Sequence, residues 1–304
     1  MKILIPGIDG YIGWSLALHH LSKGNEVCGF DNLSRRKHVK EMGSQSVIPI
    51  LSMEQRYEIL KKEFGNKITF VEGDLLDAEF TDKIIKKFQP DVIIHLAEQP
   101  SAPFSMIDQE HNIYTQKNNV LGNLNLIHSM QRHSPKAHLI KLGTMGEYGY
   151  DPGLEIPEGF YETEFRGKKA KVPFPKLAGS WYHWTKVHDS NNIMFACKLW
   201  GIKSTDIMQG IVYGTKTDEM KNESHSTRFD MDEAFGTVIN RFCAQAVIGH
   251  PLTVHGKGGQ TRGFLSLNDS IQCISLLIDN PPKDGEYRVV NQFDQQFSIM
   301  KLAK

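Results

Sequence analysis

Little in this 304-residue chain is extreme, and its shortages exclude whole classes of protein. Cysteine is scarce: Cys28, Cys197, Cys243 and Cys273 lie far apart, with no CxxC pair. That spacing argues against a zinc site or a disulfide framework and fits reduced thiols in a cytoplasm. Excess charge of either sign is absent, with 35 Lys and Arg against 35 Asp and Glu and a pI of about 7.2. A balanced surface gives no electrostatic footprint for nucleic acid or for an anionic membrane. No apolar run approaches the roughly 20 residues of a membrane span, and MKILIPG enters a strand-like stretch at once, without the regions of a signal peptide. The histidines show no metal-ligand spacing, so none is taken as a ligand. There is no repeat and no low-complexity tract. What remains, 40% hydrophobic and 23% charged, is ordinary globular composition. The length suits one large α/β domain or two modest ones.

Strand-like and helix-like patterns alternate through the first two thirds. Lys2–Pro6, Glu26–Phe30, Ile68–Glu72, Val92–Leu96, His138–Leu142 and Ser204–Met208 are apolar and β-rich. Helical periods fill Ile12–Lys23, the stretch up to Phe88, Asn112–Arg132 and Trp181–Trp200, with Gly24 and Gly201 as stops. Strands separated by helices predict a Rossmann-type doubly wound parallel sheet, because parallel connections need a crossover. After Tyr148 the texture changes. Asp151–Ala178 and Lys216–Asp232 are polar, turn-rich and too long for simple connectors. Such loops at the carboxyl ends of parallel strands are where substrate binds. The expected division is an NAD-binding domain over 1–208, with a substrate-side insertion at about 150–178, and a smaller, interleaved substrate lobe over 209–304. Ser298 looks like an N-cap for a helix that Ile299–Lys304 begins and does not complete, which suggests a lobe short of its full length.

The first turn is Gly7-Ile8-Asp9-Gly10-Tyr11-Ile12-Gly13. Alone, three glycines also make an ordinary tight turn. Between a strand and a helix they let a pyrophosphate approach bare amides at the helix N-terminus. Asp31 closes the next strand, where a carboxylate accepts from a ribose 2′-hydroxyl and repels a 2′-phosphate. This favours NAD over NADP, although Arg35 and Arg36 nearby could accommodate the phosphate. Asp74 follows Gly73 at the third strand end, as an adenine contact or as a helix N-cap. Tyr182 and Lys186 stand one helical turn apart on one face, with Thr144 just past the strand Lys141-Leu142-Gly143. A phenol of pKa near 10 needs a shift of about 3 units, roughly 4 kcal/mol, to work at pH 7. An adjacent ammonium favours the phenolate and so serves that end.

With these motifs the whole chain resembles the extended short-chain dehydrogenase/reductase family, the sugar-nucleotide epimerases and dehydratases. The segments Lys141-Leu142-Gly143-Thr144-Met145-Gly146-Glu147-Tyr148-Gly149 and Gly256-Lys257-Gly258-Gly259-Gln260-Thr261-Arg262-Gly263 look specific to its sulfite-using branch. The resemblance implies catalytic use of tightly held NAD, UDP-glucose and sulfite as substrates, and a homodimer. It places the cofactor along Gly7, Gly10, Tyr11, Ile12 and Gly13, then Asp31, Asn32, Arg35, Asp74 and Leu75. Leu96, Ala97, Asn118, Leu142 and Val212 continue that path to Tyr182 and Lys186. It gives Thr144, Tyr182 and Lys186 the oxidation at the sugar C4.

Dehydratases of the family usually carry an Asp-Glu pair just after the catalytic threonine, and here Met145 and Gly146 stand there. Glu147 and His183 are then the nearest candidates for the C5 base and C6 acid. Gln99, Thr144, Tyr182, Gln209, Arg241 and Arg262 are the expected sugar-nucleotide contacts, with Arg262 on the diphosphate. Pro100 stands where plant-type members carry an arginine. A UDP-hexose 4-epimerase, another nucleotide-sugar dehydratase and a non-catalytic NAD-binding regulator are the alternatives. Dependence of the product on sulfite separates the first two, and loss of turnover in Tyr182→Phe separates the last.

Overall fold

The computed structural model describes residues 1–149, 155–254 and 256–304. Residues 150–154 of the expected insertion, and His255, lie outside the described residues. Strands β1 (Lys2–Pro6), β2 (Glu26–Asp31), β3 (Ile68–Glu72), β4 (Val92–His95) and β5 (His138–Thr144) come first. A hairpin follows, β6 (Phe160–Phe165) and β7 (Lys168–Pro173), then β8 (Lys203–Gln209), β9 (Ile211–Tyr213) and β10 (Thr261–Ser266). β11 (Tyr287–Gln292) and β12 (Gln295–Ser298) close the series. Seven of them form one sheet in the order β11-β8-β5-β4-β1-β2-β3, and every neighbouring pair in it is parallel. The fold is the Rossmann-type doubly wound sheet that the alternation of elements predicts.

The central strands are apolar on both faces because helices cover both. Successive side chains point to opposite sides, so Ile3 and Ile5 enter one core with Trp14 and Leu16 while Leu4 enters the other with Ile85 and Leu126. β4 and β5 divide in the same way, Ile94 and Ile140 to the first core and Ile93 and Leu139 to the second.

Three local features position the site. The helical run expected over Asn112–Arg132 is two α-helices, Gln109–Gln116 and Gly122–His133, joined by a π-helical turn at Lys117–Leu121. Such a turn inserts one residue and rotates the side chains around it, and it buries Asn118 and Asn119. The helix Trp181–Trp200 starts where Ser180 Oγ accepts the amide of His183 at 3.2 Å. It stops at Gly201, whose φ of 69° suits a residue without a Cβ. The C-terminal third lends the main sheet β11 and sends Leu267, Ile271 and Ile274 of the helix Leu267–Asp279 into the first core. Beside them β9, β10 and β12 make a sheet of their own.

Candidate active site

The glycine turn links β1 to the helix Tyr11–Ser22. Gly7 has φ +86°, and a Cβ there would lie 2.5 Å from the Leu96 carbonyl carbon. A Cβ at Gly13 would lie 2.3 Å from Gly7 O. Both positions therefore need glycine so that backbone can pack on backbone, and both glycines line a cavity. Asp31, at the end of β2, accepts the amides of Asp9 at 2.9 Å and Leu33 at 2.8 Å. Burial, reinforced by Asp9, pushes its carboxyl up to about 6. Asn32 donates to Asp74 Oδ2 at 2.9 Å. Asp77 is the residue that caps the helix Ala78–Phe88, so Asp74 serves the site edge and not that cap.

One cavity runs from this turn to Tyr182 and Lys186. Its walls include every residue expected along the cofactor path, from Gly7 and Asp31 through Leu96 and Asn118 to Val212. Gln209 lines it as well, its amide fixed by Ser270 at 2.8 Å and Gln292 at 2.7 Å. At the far end, Lys186 Nζ donates to Leu142 O at 2.6 Å and pairs with Glu98 at 2.7 Å. Burial alone would lower the ammonium. Glu98 and Tyr182 reverse that and hold its pKa above the ordinary value. Tyr182 is buried too, which raises its phenol, while Lys186 pulls in the opposite direction.

Six expected site residues do not line this cavity: Gln99, Thr144, Glu147, His183, Arg241 and Arg262. Two of them are held by partners within the protein. Gln99 is spent on its own loop, accepting from the Ser101 amide and donating to Thr115 Oγ1 at 2.9 Å. Glu147 is fully buried between Lys141, at 3.1 Å, and Lys176. Burial would raise its carboxyl, but the two ammonium groups hold it down at about 2. It is a fixed anion, unsuited to giving or taking protons at neutral pH.

The other four have partners of their own. Thr144 caps the short turn after β5, its Oγ1 accepting the Gly146 amide at 3.1 Å. His183 fills the space over Gly146, where an added Cβ would come within 2.4 Å of its Nε2. Its Nδ1 lies 2.9 Å from Ser180 Oγ. Burial lowers the imidazole to about 4, and Arg262 is near enough to lower it further. Arg241 donates to Gly236 O at 3.3 Å.

Several groups of the site were not picked out from the sequence. Glu98, three residues past β4, is the partner of Lys186. Asp9 inside the glycine turn pairs with Arg36 and Arg56. Arg228 and Asp230 line the cavity from the polar stretch after β9. The spacing Arg-x-Asp within a loop already marked as substrate-side was the available signal for the last pair.

A family model, the NAD dependent epimerase/dehydratase family, matches residues 3–291. The chain belongs to that family. NAD is its cofactor, and the residues fit it: bare backbone at Gly7 and Gly13, a carboxylate at Asp31 and a Tyr–Lys pair at the other end. The chain is 51% identical over its whole length to a UDP-sulfoquinovose synthase of Sulfolobus acidocaldarius, covering 77% of that protein. It is 48% identical, over 99% of its length, to the chloroplastic UDP-sulfoquinovose synthase of Spinacia oleracea, and spans 63% of that relative. Among solved structures, a UDP-glucose 4-epimerase from Thermotoga maritima superposes with a TM-score of 0.71 at 20% identity, covering 100% of this chain and 80% of the other. A UDP-glucuronic acid 4-epimerase of Bacillus cereus, complexed with NAD, gives 0.72 at 21%, covering 99% and 81%. These two likenesses establish the fold.

Proposed function

We infer that the chain converts UDP-glucose and sulfite into UDP-sulfoquinovose. The observation that carries this reading is the likeness, at 51% and 48% identity across the chain, to two UDP-sulfoquinovose synthases. The site chemistry is consistent with it.

Tyr182, as phenolate, takes the proton of the sugar 4′-hydroxyl, and Thr144 shares the hydrogen bond to that oxygen. Lys186 stabilises the phenolate, while Glu98 and Leu142 O keep its ammonium charged and aimed. When bound, NAD supplies a reversible two-electron acceptor for C4. A ketone at C4 acidifies C5, so that a proton leaves C5 and water leaves C6. Sulfite sulfur then bonds to C6, C5 regains a proton and the ketone is reduced again. His183 is the group we assign to the proton at C5. It is neutral at pH 7, because burial holds it near 4, and it stands over Gly146, where dehydratases carry an acidic side chain. Arg262 and Gln209 hold the nucleotide sugar, and Arg241 stands in reserve beside Gly236.

A cytoplasmic homodimer belongs to the same reading. Balanced charge and free cysteines support the compartment. Exposed Ile113, Phe195 and Leu199 on neighbouring helices support self-association. The deciding experiment is mass spectrometry of products from UDP-glucose with and without sulfite. A sulfonated nucleotide sugar that forms only with sulfite is expected. UDP-galactose formed without sulfite would overturn the reading in favour of a 4-epimerase.

A further inference from the structure

The polar stretch after β9 folds back over the glycine turn. Tyr11 donates from its hydroxyl to Gly214 O. Trp14 Nε1 donates to His225 O at 2.9 Å, Arg56 Nη2 to Ser226 O at 2.8 Å, and Thr227 Oγ1 to Tyr11 O at 2.8 Å. These four bonds seat the next residue, Arg228, on the wall of the cavity that Gly7, Gly10 and Gly13 also line.

Arg228 is only 3% exposed. Its Nε and Nη2 donate to Asp230 at 3.1 and 3.2 Å, which fixes the plane of the guanidinium. Arg35 Nη2 donates to the same carboxylate at 2.8 Å. Two guanidinium groups thus share one carboxylate. The remaining nitrogen, Arg228 Nη1, is buried and has no hydrogen-bond partner. Buried donors of native proteins are almost always satisfied, and a charged one left unpaired is costly.

We propose that Arg228 Nη1 donates to the pyrophosphate of NAD, so that the stretch from Gly214 to Phe235 is the strap that keeps the cofactor on the protein. The anchors of Arg228 decide between the two diphosphates the site receives. Tyr11, Trp14 and Arg56 belong to the glycine turn, its helix and the helix packed beside it, where backbone amides face phosphate. Arg262, in contrast, neighbours His183 at the substrate end. The inference rests on NAD binding and not on sulfite chemistry, so either can fail alone.

The test compares the wild-type protein with Arg228→Gln and Arg228→Lys, freed of nucleotide and titrated calorimetrically with NAD, ADP, adenosine and UDP. A charge-assisted hydrogen bond lost to a phosphate predicts a loss of about tenfold or more for NAD and ADP in Arg228→Gln. Adenosine and UDP should stay within about twofold, since neither meets Arg228 through the dinucleotide pyrophosphate. Arg228→Lys keeps the charge without the fork and should fall between, which keeps the test open if the glutamine variant does not fold. Unchanged ADP affinity in the variants overturns the assignment, as does a loss confined to UDP.

Discussion

Arg36 grips the carboxylate of Asp9 with two hydrogen bonds, Nε at 2.6 Å and Nη2 at 2.8 Å. Asp9 in turn donates its amide to Asp31 at 2.9 Å, and Arg35 is bound to Asp230. Both arginines that follow β2 are therefore committed to carboxylates of the protein. An adenosine 2′-phosphate at this strand end would meet Asp31 and Asp9 with no uncommitted guanidinium from Arg35 or Arg36. NADP should bind about 100-fold more weakly than NAD, the worth of one or two charged hydrogen bonds. In Asp9→Asn the grip on Arg36 loosens, and the gap should narrow at least about tenfold. Calorimetric titration with both dinucleotides decides it, and a gap unchanged in the variant defeats the argument. Arg56, fully buried against Asp9 at 2.9 Å, loses a charged partner as well. The variant should melt several degrees lower and is best compared at low temperature.

Tyr182→Phe removes the hydroxyl that moves the proton and leaves the packing of the ring in place. Turnover should drop by about 10²–10⁴, the usual contribution of a general acid–base group. NAD binding should stay within a few fold of wild type, because Lys186 keeps Glu98 at 2.7 Å. Absorbance titration of NAD alongside the product assay separates the two quantities. If both fall together, Tyr182 is holding the cofactor and not the proton.

The fold was legible because period and punctuation agree along the chain. β1 and β3 begin and end where their apolar runs do, and the helix from Trp181 stops at Gly201. That the residues expected along the cofactor path line one cavity has a related reason: they sit at strand ends and turns, whose chemistry is local. The residues hardest to read are those whose surroundings depend on distant partners. Glu147 resembled a proton donor until Lys141 and Lys176 closed on it. Gln99 resembled a substrate contact until Thr115 took its amide. Arg228 sits in a polar loop, and nothing in its immediate sequence says that this loop returns to Tyr11.

His183 should set the acid side of the pH profile. Its imidazole, lowered by burial to about 4, accepts a proton only while neutral. As pH falls through that value it becomes a cation and can no longer take the C5 proton. At saturating substrate, protonation of His183 should therefore add a loss of rate of its own below about pH 5, absent from a His183→Gln variant, and it is read only at pH values where circular dichroism shows the native fold. In His183→Gln the overall rate should drop by about 10²-fold or more, and exchange of the sugar C5 hydrogen with deuterated solvent should cease. Continued exchange in that variant would move the C5 base to another residue.

Acid should unfold this protein earlier than its carboxylates alone would require. His20 and His138 are held at about 3 and His95 at about 4, all by burial in the first place. An unfolded chain takes up these protons below pH 6.5, and the native protein does not until pH 3–4. Stability is therefore complete above pH 6.5 and is lost as pH falls. At pH 5 each group has withdrawn about 2 kcal/mol, and three together reach about 6, comparable to the total stability of many domains. The cleanest probe is His20, whose two ring nitrogens are buried without partners. Replacing it by Leu removes the proton-binding site without breaking a hydrogen bond. The acid-unfolding midpoint, followed by circular dichroism, should move to lower pH, while stability at pH 7.5 changes little. A midpoint that stays where it was would mean that His20 does not titrate on unfolding.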